Sequence, residues 1–268
     1  MMENNIPINV IQKTIERGLF PYNEGISFHE FKNIFIDLDS ILSILLKTNL
    51  DLSKESKKEY ANIIINTLGM FINEYHLNSF IHVYYNMDRY IKFPDIYPDW
   101  CKERMLIYQE SEMVTFIHDN LIRRMKILEK NINNFKLIKC EDSPILYIKE
   151  DIKLHKEPYL IISRDEHYIC LFIYDEDLLY IYDGKDIFNK ETSNRMKHNP
   201  DVKYMLLPYY FMINGLKRNE YIGIKKFGKK RTTEYLKRNI ESIIQENDNI
   251  LSEVLNYKDI FFLNNINL

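Results

Sequence analysis

Short apolar runs that end in polar residues and hand over to helical patterns constrain this chain's fold more than any other feature. N-I-F-I at 33–36 runs into Asp37, Leu38 and Asp39, then into a helical stretch from Ser40 to Leu46. Ser79 to Tyr85 is rich in β-forming residues and precedes Asn86 and Asp88, and Pro158 to Ser163 precedes Asp165. Between them lie amphipathic stripes. Glu59 to Tyr75 carries Ile63, Ile64, Thr67, Leu68, Phe71 and Ile72 at helical spacing. Val114 to Lys130 sets Ile117, Leu121, Met125 and Leu128 opposite Arg123, Arg124, Lys126 and Lys130. Strands alternating with helices predict an α/β fold with a mainly parallel sheet and helices on both faces. Such sheets gather ligands at the carboxyl ends of their strands, which places Asp37, Asn86 with Asp88, and Asp165 together.

Beyond Asp165, Tyr168 to Tyr174 and Leu178 to Tyr182 read as a hairpin-like pair of strands. From Lys203 the pattern turns helical: Met205 to Ile213, then a glycine-flanked hairpin, then Thr232 to Gln245 with Leu236, Ile240, Ile243 and Ile244 as its inner face. This predicts a core over residues 1–202 and a helix-hairpin-helix region with a tail over 203–268. Seven Gly and eight Pro in 268 residues leave little material for a linker, so the two are expected in one compact unit. The tail from Asn247 reads as one short helix and an irregular end.

A net charge of −3 excludes no partner, because nucleic-acid binding depends on where positive charge sits, and here much of it lies between Lys217 and Arg238. Gly223 and Gly228 flank an apolar-basic hairpin that opens a helix. Its first N–H groups, with Lys229, Lys230 and Arg231, could hold a phosphate; the plainer alternative is a solvated helix face. Three scattered cysteines, Cys101, Cys140 and Cys170, suit neither a disulfide framework nor a tetrahedral zinc site and predict a reducing compartment. The opening M-M-E-N-N-I-P-I-N-V lacks the pattern of a signal peptide, and Tyr168 to Tyr174 is too short to span a bilayer. A cytoplasmic location, within a host cell if the source is viral, and no membrane partner are the expectations.

The motifs, taken in order, resemble the 5′-nuclease superfamily, which has a PIN-like core and includes flap endonucleases and phage RNase H-type 5′ exonucleases. The similarity runs from about Asn33 to Leu236. I-F-I-D matches a strand ending in the first family aspartate, Asp37, and Y-P-D-W-C-K-E-R matches an aromatic and basic segment containing Lys102 and Arg104. C-E-D-S aligns with E-A-D-D, S-R-D-E-H with S-x-D-x-D, and the glycine hairpin with the pattern that precedes a DNA-binding helix. Phosphodiester hydrolysis with two divalent ions needs several carboxylates, since hard cations prefer oxygen. Carried over residue by residue, the resemblance retains Asp37, Asp142 and Asp165. Cys140, His167 and Asn219 stand where relatives have acids, with Glu220 next to the last. The second aspartate falls on Asn86, or on Asp88 as a substitute.

The resemblance therefore implies one Mg²⁺ or Mn²⁺ site through Asp37, Asp88, Asp142 and Asp165, a doubtful second site, and Gly223, Gly228, Lys229, Lys230 and Arg231 as nucleic-acid contacts. Lys102 and Arg104 would join Asp37, Asp142 and Asp165 as catalytic residues. It implies a DNA-binding protein that recognises branched DNA or duplex ends with weak or lost cleavage, in company with replication or viral proteins. One alternative is an active metal-dependent 5′ exonuclease or flap endonuclease using Asp88 and Glu220 as displaced ligands. Another is a structural subunit of a viral or plasmid assembly. The residues also admit plainer roles: Asp37 and Asp165 as helix N-caps, His167 as a surface or hairpin residue, Cys140 as a small buried apolar group, and Trp100 as a core anchor rather than, with Tyr97, a base-stacking platform.

Overall fold

The computed structural model describes residues 26–41, 54–86, 112–141, 144–174, 177–193, 202–215, 223–245 and 248–252. Six strands form one sheet: β1 (Asn33–Asp37), β2 (Phe80–Tyr85), β3 (Phe135–Lys139), β4 (Tyr159–Ile162), β5 (Leu179–Tyr182) and β6 (Ile187–Phe188). Their spatial order is β3-β2-β1-β4-β5-β6, and β1 pairs in parallel with both β2 and β4, as β2 does with β3. The α/β class and the mainly parallel sheet expected from the sequence are what the chain adopts.

The helices in that part of the chain are α1 (Lys54–Tyr75), α2 (Glu112–Asn131) and α3 (Pro144–Ile152). Strand side chains alternate between faces, and the two faces differ. Ile34 and Ile36, Ile81 and Val83, Leu160 and Ile162 join Ile64, Leu68, Phe71 and Ile72 of α1 and Leu121 and Met125 of α2 in one buried core. The alternate residues Phe35, His82 and Tyr84 face the other side, where α3 lies. β3 and α3 have no counterpart in the sequence reading. F-K-L-I-K is short and only Phe135 is fully withdrawn from solvent, as suits an edge strand with a faint apolar signal.

The described residues fall into two compact units: the first runs up to Arg164 and includes Tyr180–Ile187, the second takes Asp165–Leu179 and the chain from Phe188. In the second, α4 (Leu207–Asn214) is buried from Leu207 to Ile213, and α5 (Lys229–Arg238), α6 (Ile240–Ile244) and α7 (Asn249–Ser252) follow.

Two expectations are corrected here. Tyr168 to Tyr174 is no strand: Glu166–Ile173 is a 3₁₀ helix. The whole run Tyr168 to Phe172 is buried, and a short, continuously apolar segment carries no periodicity to separate a strand from a buried helix. Thr232 to Gln245 is not one helix either. It breaks at Asn239, whose Nδ2 and backbone N–H both donate to Tyr235 O, at 2.9 and 3.1 Å. An asparagine that bonds to its own backbone competes with helix continuation.

Candidate functional site

The parallel register delivers four side chains to one end of the sheet. Asp37 pairs with Tyr84, Tyr85 with Lys139 and Ile36 with Ile162, so Asp37, Asn86, Cys140 and Ser163 all stand at or just past carboxyl ends. Asp37 Oδ1 accepts the Ser40 N–H at 3.1 Å and Oδ2 accepts the Ser163 hydroxyl at 3.2 Å. The first of these bonds caps the helical turn at 38–41, so the N-cap role read from the sequence is present. Ser40 Oγ donates to Asp37 O at 3.0 Å and accepts the Arg164 N–H at 3.3 Å, tying the turn after β1 to the end of β4.

Asp39 is a second carboxylate here, singled out neither as ligand nor as catalytic residue by the sequence. Its Oδ1 and Oδ2 both accept the Asn86 N–H, at 3.2 and 3.0 Å. The signal was available: Asp-x-Asp across a strand-to-helix turn returns the second acid to the strand ends. Asp37 and Asp39 are 2% and 7% exposed, and Cys140 is fully buried, as read from the sequence. Burial first, then the charges of Asp39 and Asp37, push the Cys140 thiol up, so it is neutral at physiological pH.

The donor chemistry fits a hard divalent ion in kind, since carboxylate and amide oxygens dominate, but it is sparse in number. Among the described residues no group of three or more His, Cys, Asp or Glu side chains is arranged to hold a metal. Asp88, Lys102, Arg104, Asp142, Asn219 and Glu220, together with Tyr97 and Trp100, lie outside the described residues.

Asp165 opens the second unit. It N-caps the 3₁₀ helix by accepting the His167 N–H at Oδ1, 3.0 Å away, and His167 is buried rather than on the surface. Further along that unit, Gly223 has a left-handed φ of 66°, and a Cβ there would stand 2.4 Å from Ile213 O and 2.5 Å from Gly215 N. Only glycine lets the Ile224 N–H reach Ile213 O, at 2.8 Å. Gly228 is different: it is the N-cap of α5, and a Cβ there meets nothing within 4 Å. Lys229, Lys230 and Arg231 are exposed on the first turn, with the Arg231 guanidinium 4.6 Å from the centre of the Phe227 ring. Thr232 and Leu236 anchor the inner face.

An α/β sheet with carboxylates at its strand ends thus precedes, along the chain, a helix whose exposed first turn is cationic. The chain has the 5′-nuclease fold. The bacteriophage T5 5′-exonuclease with bound zinc superposes with a TM-score of 0.56 at 14% identity, covering 86% of each chain. A T5 protein co-crystallised with metal ions gives 0.59 at 13%, and a T5 flap endonuclease in a pseudo-enzyme-product complex with DNA and metal ions gives 0.52 at 16%, both again covering 86% of each chain. No family model matches the sequence, and no curated protein sequence matches it. No helix among the described residues is long and apolar enough to cross a membrane.

Proposed function

We propose that the chain is a DNA-binding protein of the 5′-nuclease superfamily that recognises duplex near a junction or end, with a depleted metal site and weak cleavage. The observation that carries the depletion is the pair beside Asp37: the ends of β2 and β3 bear Asn86, an amide, and Cys140, a buried neutral thiol. Neither adds the negative charge on which two closely spaced divalent ions depend. Asp37, Asp142, Asp165 and Asp88 would hold one Mg²⁺ or Mn²⁺ ion, which would polarise the phosphodiester when bound. Lys102 and Arg104 would meet the phosphate, and α5 with Gly223, Gly228, Lys229, Lys230 and Arg231 would grip the backbone through a helix N-terminus. Replication or viral proteins fit as partners of such a DNA-binding chain. Support for a divalent ion and for DNA comes from the T5 proteins, one solved with zinc and another with DNA and metal ions.

Asp39 favours the second reading, an active nuclease, because it adds to the strand ends a carboxylate that the family pattern does not call for. A labelled 5′-flap duplex with Mg²⁺ or Mn²⁺ separates the two. Slow wild-type cleavage, raised at least roughly tenfold by His167→Asp with Asn219→Asp, is the expected result, because the pair restores charge to a unit whose members act together. Vigorous wild-type cleavage in Mg²⁺, abolished by Asp37→Ala, would overturn the depleted-site reading and establish the active one.

A further inference from the structure

The outer face of α2 carries charge that neither the core nor the proposed site uses. Leu121, Ile122 and Met125 are buried in the core, whereas Arg123, Arg124, Lys126, Ile127 and Lys130 are exposed. Lys126, Ile127 and Lys130 stand three, four and seven positions after Arg123, so the four share one face, with Arg124 at its side. The one acid between Asn120 and Lys130 is Glu129, and its Oε1 is engaged at the sheet edge, where it accepts the Leu137 N–H at 3.0 Å. Among the described residues, none of the four cations makes an ion pair, and Arg123 Nη2 donates instead to Asn120 Oδ1 at 3.4 Å.

Helix stability does not account for this arrangement. Like charges three and four positions apart repel, as Arg123 does Lys126 and Lys126 does Lys130. The helix dipole favours cations only in the last turn, which explains Lys130 and leaves the two arginines unexplained. A polyanion laid along the face turns that repulsion into attraction. Helical rise sets Arg123 and Lys130 about 10 Å apart along the axis, and one strand of a duplex passes a phosphate about every 3.4 Å, so about three phosphates meet that length. Arginine adds planar, two-pronged binding of phosphate oxygens. A lipid surface fits less well, because Ile127 is the one large apolar side chain exposed on the described part of α2. We propose that this face of α2 is a second contact surface for the phosphate backbone of nucleic acid, distinct from α5, with Arg123, Arg124, Lys126 and Lys130 as its contacts. The two helices belong to different compact units, so each surface is open to test by itself.

The inference rests on the DNA-binding reading, and its test separates the two. Binding of a labelled 5′-flap duplex would be titrated over a range of salt, with circular dichroism and thermal unfolding as controls for folding. Arg123→Gln, Arg124→Gln, Lys126→Gln and Lys130→Gln together keep good helix formers on the face. This variant is expected to lose roughly two units or more of log-log slope and to bind about tenfold or more weakly. Should it fail to fold, Lys126→Gln with Lys130→Gln carries the test, with an expected loss of roughly one unit or more. Slope and affinity unchanged in the folded variant, with the flap still bound, would overturn the α2 surface and leave the DNA-binding reading standing. Polyglutamate bound by the wild type and not by the variant, with flap affinity unchanged, would overturn it in favour of an acidic protein partner. A wild type that binds no flap duplex would overturn the DNA-binding reading and the α2 surface with it.

Discussion

Asp37 and Asp39 are almost wholly withdrawn from water, whereas Lys229, Lys230 and Arg231 all lie exposed on the first turn of α5. The two regions therefore obey different physics. The buried acids take hydrogen bonds from Ser40, Ser163 and Asn86, which hold them in place before any ligand arrives. Charges so placed are poorly screened, and removing one changes the local field strongly. The exposed cations interact through water and salt, so each is worth little by itself and acts as part of a set. A site built on the first kind of charge is expected to be specific in geometry, and one on the second to be tolerant of sequence and sensitive to salt.

The largest expected effect would separate the regions outright. Charge reversal at Lys229, Lys230 and Arg231 together should flatten the salt dependence of duplex binding by roughly three units of log-log slope, about one per lost phosphate contact. Mn²⁺ affinity should stay at the wild-type value. A slope that does not change in the triple variant would show the patch to be a solvated surface only.

The two glycines sharpen the contrast within the basic region itself. Gly223→Ala forces a Cβ to within 2.4 Å of a backbone oxygen at a left-handed φ, and should cost about 2 kcal/mol or more in urea unfolding. Gly228→Ala has open space and an extended φ of −89°, so a cost under about 1 kcal/mol is expected, mostly from a poorer N-cap. Equal costs at the two positions would contradict the turn geometry.

The smallest expected effect belongs to the sheet face beneath α3. Burial first, and the nearby His82 second, hold His155 below the usual histidine value of 6.5. The unfolded chain then binds a proton that the folded one refuses, so stability should fall as pH drops below about 6.5. Asp151 works in a lower window. His82 and then Tyr84 hold its carboxyl below the usual 3.8, against the burial that would raise it. Its contribution is present above that value and lost as pH falls through the lower folded one. Urea midpoints measured from pH 7 to pH 5 should decline in the wild type and decline less in His155→Phe. Identical slopes would remove His155 from the account.

Much of the fold was legible because its signals are local. Asp37 ends a strand and caps the next turn, and both facts follow from I-F-I-D-L-D-S read with strand and cap preferences. α1 and α2 announce themselves by apolar residues at helical spacing over about three turns each. Where the signal was short or uniform it failed. The five residues of β3 gave too little pattern at a sheet edge, and the wholly apolar Tyr168 to Phe172 gave none that separates a strand from a 3₁₀ helix.

Sequence alone thus determined the strands β1, β2 and β4, the helices α1 and α2, Asp37 at its strand end and the cationic helix start, since periodicity, capping and charge act over a few residues. Tertiary structure alone decided that β1 lies between β2 and β4, that Asp39 reaches Asn86, and that Tyr84 meets Asp151. Those pairings span 47 and 67 positions along the chain. They depend on register and helix placement, which are fixed by the packing of the whole sheet and leave no trace in any local window.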